Sequence, residues 1–167
     1  MKLIIDTREQ KINHILSHFR EIGQEYEVKK LDFGDYSIKG FESDFAIERK
    51  NGSVRYGGGW QELKGNICTK AGRVRFIDEF DRALNSGAEM VLLIENTHSI
   101  DGILNMKVSL TALNYVPTVV YHNMFVNFLK EQNAKRTAKG LNEIKLVFSE
   151  NLNTGKTIID LCKNYLK

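Results

Sequence analysis

The five residues Met90-Val91-Leu92-Leu93-Ile94 are apolar without interruption, and this run constrains the fold more than any other feature of the chain. A strand with one face in water alternates apolar and polar side chains, so one that is apolar at every position has to be covered on both faces. The segment before it, Arg75 to Leu84, spaces Phe76, Phe80 and Leu84 four apart as one face of a helix does, and Asn85-Ser86-Gly87 closes it. A helix leading into a doubly buried strand is a unit of an α/β protein. Met90 to Ile94 is expected at the centre of a sheet.

The other elements fit that frame. Leu3 to Ile5 is a short apolar run ending in Asp6, and Lys11 to Ile22 carries Ile12, Ile15, Leu16 and Phe19 at helical spacing before Gly23. Tyr26 to Leu31, Tyr36 to Ile38 and Phe45 to Lys50 read as three extended pieces of a hairpin-like meander. Asn51 to Gly59 holds four of the 13 glycines and no apolar pattern, so it reads as a mobile surface loop. Lys145 to Phe148 reads as a last strand, and Thr157 to Leu166 as a terminal helix with Ile158, Leu161, Cys162 and Tyr165 on one face. The expectation is an α/β fold with a central mixed β-sheet flanked by helices. A chain of 167 residues suits one domain, residues 1–167, with no internal repeat or linker.

Composition narrows the function class only slightly. With 42% hydrophobic and 27% charged residues the chain is not a disordered one, and a formal charge of +3 leans toward a polyanionic partner. Placement says more: Lys64, Lys70, Arg73 and Arg75 lie in a stretch with no acid, which either follows a phosphate backbone or is a solvated surface. Lys130, Lys135, Arg136 and Lys139 form a second basic group around an expected loop, either a DNA contact or a solvated helix end. Cys68 and Cys162 have neither metal nor disulfide spacing, the pattern of two buried thiols in a reducing interior. His14 and His18 sit four apart as zinc ligands can, but without a third ligand they read as surface or core residues. The longest apolar candidate, around Val116 to Leu129, is broken by His122, Asn123 and Asn127. No membrane span is therefore expected, nor a signal segment, and the expected location is intracellular.

The residues that carry chemistry begin at Asp35. It is followed by Glu48-Arg49-Lys50 on the apolar strand Phe45-Ala46-Ile47. Strand side chains alternate, so Glu48 and Lys50 face one way and Arg49 the other. If Asp35 ends the neighbouring strand, its carboxylate and that of Glu48 can share one hard divalent cation. Phosphodiester hydrolysis needs such a cation, a polarised water and a group to orient it, and Lys50 suits the last task. A surface ion pair on an edge strand, worth about 0–1 kcal/mol, is the alternative for Glu48 and Lys50.

The wider pattern runs Ile4-Ile5-Asp6-Thr7-Arg8-Glu9, Leu31-Asp32-Phe33-Gly34-Asp35-Tyr36, Ile47-Glu48-Arg49-Lys50. It resembles the XPF-type nuclease family, whose signature is Asp-x-Arg-Glu, Gly-Asp-Tyr, Glu-Arg-Lys. Arg75-Phe76, Val91-Leu92-Leu93-Ile94-Glu95 and Ile144 to Leu166 are similar to later segments of that family. The resemblance implies a restriction-endonuclease-like fold, dependence on Mg2+ or Mn2+, and cleavage of branched or flapped DNA, commonly as a dimer with itself or a related chain. It also implies Asp35 and Glu48 as metal ligands, the Arg49 carbonyl as a third, and Lys50 as the catalytic lysine. Asp6 and Glu9 match acids beside the metal, held by Arg8, and Arg8 with the basic tract is expected to contact DNA.

The departures are specific. Family members place an acid four residues after the lysine, where this chain has Val54. Trp60-Gln61-Glu62-Leu63 reads as the displaced continuation, pushed downstream by a glycine-rich insertion at about 51–59. Gln61 then takes the acid's place, and Glu62 beside it becomes a candidate metal ligand at a helix start. Tyr56 beside Arg55, and Trp60, are candidates for stacking on unpaired bases. No tandem helix-hairpin-helix segment is expected within these 167 residues, and residues 99–121 have no clear family match. The rival reading is a noncatalytic DNA-binding or dimerisation module of the same fold.

Overall fold

The structure is a computed structural model and describes residues 1–107 and 115–167. Its strands are β1 (Leu3–Ile5), β2 (Tyr26–Val28), β3 (Tyr36–Ile38), β4 (Phe45–Lys50), β5 (Glu89–Glu95) and β6 (Lys145–Ser149). Its helices are α1 (Asn13–Glu21), α2 (Trp60–Cys68), α3 (Lys70–Ser86), α4 (Thr118–Ala138) and α5 (Thr154–Tyr165). The strands form one sheet in the order β2-β1-β3-β4-β5-β6. Only β3 runs against the others: it pairs antiparallel with β1 and β4, while β1–β2, β4–β5 and β5–β6 pair parallel. Parallel neighbours need crossover connections, which α1, α2–α3 and α4 supply.

Alternation along β4 and β5 sorts the core into two layers. Ala46, Met90, Leu92 and Ile94 pack with Trp60, Leu63, Phe76, Phe80, Phe125 and Phe128 of α2, α3 and α4. Phe45, Ile47, Val91 and Leu93 pack with Ile15, Phe19, Ile158 and Cys162 of α1 and α5. As expected, β5 is buried along almost its whole length. The same parity continues past the apolar residues. Glu48 and Lys50 therefore point to the α2–α4 face, Arg49 and Glu95 to the α1–α5 face.

Several expectations need correction. The meander does not form, because β1 inserts between β2 and β3. β2 ends at Val28 rather than Leu31, whose amide turns away to donate to Asp6 Oδ2 at 2.6 Å. α3 starts five residues before Arg75, because Thr69 caps it by accepting from Gly72 N. The second basic group lies on the C-terminal half of α4 and at its cap, Lys139, rather than around a loop, which agrees with its helix-end alternative except that Arg136 is buried and donates to the carbonyls of Asn142 and Ala88. Cys162 is buried but Cys68 only partly. Residues 108–114 of the unmatched stretch lie outside the described residues.

Residues 51–59 are not a slack surface loop. A single 3-10 turn, Val54–Tyr56, is capped by Ser53 Oγ. Gly58 N donates to Ser53 O, Gly59 N to Glu95 O, and Asn96 Nδ2 to Gly52 O. Gly58 has φ +61° and sits so close to the sheet end that a Cβ would lie 2.5 Å from the carbonyl oxygens of both Glu95 and Asn96. The glycines here serve close packing rather than slack.

Candidate active site

Gly34 makes the turn that starts the site. Its φ is +72°, and a Cβ would come within 2.8 Å of Ala46 Cβ, so a residue with a side chain would push β3 off β4. Asp35 follows at the start of β3. Its amide donates to Ile47 O at 2.8 Å, and its Oδ2 accepts from Arg49 N at 2.7 Å. Tyr36 pairs with Ile47, and continuing that antiparallel register sets Asp35 across from Glu48. β4 is an inner strand and Glu48 is 3% exposed, so the reading of Glu48 and Lys50 as a surface ion pair on an edge strand is overturned.

Lys50 Nζ donates to Glu48 Oε1 at 2.5 Å, lies 3.6 Å from Glu62 Oε1, and sits 5.2 Å from the centre of the Phe76 ring. Glu48 Oε2 is buried with no hydrogen-bond partner among the described residues. The electrostatics follow from setting Asp35, at the edge of the cleft, beside the buried Glu48. Burial, then the Glu48 charge and that of Glu9, raise the Asp35 carboxyl well above its ordinary value. Burial also pushes Glu48 up to about 7, against the pull of the Lys50 ammonium. For Lys50, burial works to lower the pKa, but Glu48, Asp35 and Glu62 outweigh it and hold the ammonium above its ordinary range. Lys50 is thus a fixed cation that can donate hydrogen bonds but cannot take up a proton.

On the other face Arg49 is fully buried. Its Nε donates to Glu9 Oε1 at 2.5 Å and its Nη2 to Gln10 O at 2.8 Å. Nη1 lies 3.0 Å from Glu95 Oε2 but off the hydrogen-bond direction. Glu9 Oε1 also accepts from Tyr36 Oη at 2.9 Å, and Glu95 Oε1 lies 3.0 Å from His14 Nε2. That contact, not a zinc pairing with His18, is where His14 is engaged.

Asp6 does not join the Asp35–Glu48 pair as a free ligand. Its Oδ1 accepts from Arg8 N and Nε, and its Oδ2 from Arg8 Nη2 and Leu31 N. Burial opposes its charge, but the Arg8 and Leu31 donors outweigh it and hold the carboxyl below its ordinary value. Both oxygens are filled, so Asp6 fixes the β1 end and the Leu31 turn rather than offering a lone pair to a cation. Arg8 holds Asp6 as expected, while its side chain still reaches the cleft.

Glu62 stands in the first turn of α2, where an acid is favoured by the helix dipole. Its Oε2 accepts from Asn51 N at 3.0 Å and the side chain is 41% exposed. The loop 51–59 therefore folds out and brings α2 back beside Lys50. Trp60 is fully buried, with Nε1 donating to Thr97 Oγ1, which removes it as a stacking residue. Lys64 lies on α2, whereas Lys70, Arg73 and Arg75 lie on α3. Helical residues two apart point about 200° away from each other, so Arg73 and Arg75 cannot share one phosphate track.

A cleft of about 520 Å³ opens over this end of the sheet, lined by Asp35, Lys50, Glu9, Glu62 and Tyr56 among others. Among the described residues no three His, Cys, Asp or Glu side chains converge as a metal group. Even so, the half-buried Asp35 and the buried Glu48, both with disfavoured charges, and a Glu48 oxygen without a partner among the described residues fit a hard divalent cation, with a main-chain carbonyl as the natural third donor. Sequence reasoning missed Glu95, Glu79 and Gln10. Glu95 had a signal, since it ends an apolar strand as Asp6 does. Glu79, which accepts from Gly34 N at 2.9 Å, had none.

Fold and site together define an α/β protein with a carboxylate and lysine centre where the amino end of β3 meets the carboxyl end of β4. The chain belongs to the ERCC4 domain family, whose model matches residues 5–152. It is similar to the solved structure of XPF from Aeropyrum pernix, at 14% identity and a TM-score of 0.58, over 100% of this chain and 62% of that one. The same protein in complex with DNA gives 14% identity and a TM-score of 0.59, over 99% of this chain and 64% of that one. The chain thus spans less than two thirds of those proteins, and the likeness is one of fold. The XPF-type resemblance and the mixed sheet flanked by helices are both borne out. No curated protein matches in sequence.

Proposed function

We propose that the chain is a metal-dependent DNA endonuclease acting on branched or junction-containing DNA. The observation that carries the reading is the half-buried Asp35 at the cleft beside the buried Glu48, with a Glu48 oxygen that has no hydrogen-bond partner among the described residues and the Lys50 ammonium between Glu48 and the cleft. Asp35, Glu48 and the Arg49 carbonyl would hold Mg2+ or Mn2+, which when bound offsets charge on the phosphoryl oxygens and polarises the attacking water. Lys50 donates to that water or to a phosphoryl oxygen as an electrostatic stabiliser, its ammonium placed beside the cleft by its hydrogen bond to Glu48. The Arg49 side chain is buried and bonded to Glu9 and Gln10 and lies beside Glu95, so it ties those residues to the strand that carries the site. Arg8, which lines the cleft, and Lys64, one turn along α2 from the cleft residue Gln61, are the basic residues best placed to meet the DNA backbone. The complex of XPF from Aeropyrum pernix with DNA supports the partner class, and a dimer with itself or a related chain is part of the same proposal.

The test is a cleavage assay on flap, fork, four-way and linear DNA, with Mg2+, Mn2+ or chelator. Cutting of branched DNA that stops with chelator is the expected result. Tight DNA binding with no cutting under any metal would instead favour a noncatalytic DNA-binding module.

A further inference from the structure

Tyr56 is an exposed aromatic side chain on a restrained turn beside the cleft. It lines the same cleft as Asp35 and Lys50, yet it is 47% exposed. An exposed tyrosine alone means little. This one stands on the Val54–Tyr56 turn, and that turn is tied down from both sides. Tyr56 N donates to Ser53 O at 2.9 Å, Gly57 N to Val54 O, and Gly59 N to Glu95 O at the end of β5. Gly57 is pressed against Met106, with room for no Cβ: one would lie 2.6 Å from Met106 Cγ. A ring held out in a wet, polar cleft on so confined a turn contributes nothing visible to the core.

The Arg55 guanidinium lies 5.5 Å from the centre of the Tyr56 ring. A cation beside the ring makes it a better partner for a flat, polarisable group and draws in a polyanion at the same time. Nucleobases are such groups, and they become available only where the duplex is unpaired. Stacking on a ring whose backbone is already held in place costs little conformational entropy.

We propose that Tyr56, backed by Arg55, is a stacking subsite for an unpaired nucleobase close to the phosphate held at Asp35 and Lys50. The subsite rests on the proposed nuclease reading and deepens it. It supplies a physical reason for junction preference, since a fully paired duplex has no free base face to offer. Tyr56 is a binding residue here, not part of the hydrolytic centre.

The experiment uses the full chain in chelator, so that nothing is cut, with fork oligonucleotides carrying 2-aminopurine at each unpaired position in turn. Wild type and Tyr56→Phe should quench the label at one or two positions next to the junction, and Tyr56→Ala should lose at least four fifths of that quenching. In metal, Tyr56→Ala should raise KM on the fork about tenfold with kcat changed less than twofold, and Tyr56→Phe should match wild type. Circular dichroism melts confirm that both variants are folded. Quenching that survives Tyr56→Ala, or a Phe variant as impaired as Ala, overturns the subsite. Quenching by a protein that cuts nothing in any metal supports the subsite while rejecting the endonuclease, so the two readings fail separately.

Discussion

Glu48 and Lys50 occupy alternate positions of one inner strand, and that spacing alone puts an acid and an ammonium on the same face. Asp35 completes the group through the β3–β4 register. Glu48 is buried and Asp35 half-buried beside it, and burial together with the Glu48 charge disfavours the charge of Asp35, so the site gains from the arrival of a cation. Asp35→Asn keeps an oxygen for the Arg49 amide but removes one charge. Cleavage should fall roughly a thousandfold, about 4 kcal/mol in the barrier, while the melting temperature of the metal-free protein at neutral pH stays level or rises. A variant that cuts at near the normal rate would remove Asp35 from the site, and one that unfolds would make it a structural residue. Glu62 is a more exposed partner, near Lys50 and bonded to Asn51. Glu62→Gln should lower cleavage about tenfold, close to 1.4 kcal/mol, with most of the loss relieved at high metal. Unchanged rates at limiting metal would leave a two-carboxylate site. At this scale the sequence is informative where parity along one strand decides the answer, as for Glu48, Arg49 and Lys50. It is uninformative where a partner comes from far away: nothing near Asp6 signals that Leu31 N will fill its second oxygen.

At the scale of elements, local pattern and long-range pairing part company. The apolar run of β5 reveals its burial directly, and the four-residue spacing of Phe76, Phe80 and Leu84 reveals α3. The helix α4 is hidden because its inner face, Tyr121, Phe125, Phe128, Gln132 and Arg136, turns polar halfway along. Strand order is equally hidden, since β1 reaches the space between β2 and β3 through pairings that no local pattern encodes. The glycines of 51–59 mislead because glycine content signals either slack or close approach, and here close approach to β5 decides. The α2–α3 hairpin has a consequence for DNA. It divides the basic tract, so its members should contribute unequally to binding. Each duplex phosphate that a substitution leaves without its protein cation lowers the slope of log K against log salt by about 0.9. Lys64→Ala, on the helix that borders the cleft, should show that decrease, whereas Arg75→Ala should leave the slope unchanged. Equal decreases for both, measured by titration at several salt concentrations, would restore the tract as one surface.

For the whole molecule, the site links folding, pH and metal. Asp35 and Glu48 bind a proton more tightly folded than unfolded, so the folded metal-free protein loses stability as pH rises from the ordinary carboxylate range, roughly 4, through the Glu48 value of about 7. Asp6 has the opposite sign. Its lowered carboxyl adds stability at pH above the ordinary value, lost only as pH falls through the folded one, so it does not mask the effect near neutrality. Melting temperatures in chelator should therefore drop between about pH 5 and about pH 8, drop less for Asp35→Asn, and recover with Mn2+; a flat profile would mean that the pair is not strained. Proton competition also makes cation binding stronger at higher pH. The most direct measurement is calorimetric titration of the chelator-stripped protein with Mn2+ at pH 6 and pH 8, for wild type and Asp35→Asn. The structure predicts saturable binding by wild type, tighter at pH 8 and accompanied by proton release, and little or none by the variant. Equal binding by both proteins, or none by either at millimolar Mn2+, would contradict Asp35 and Glu48 as a cation site.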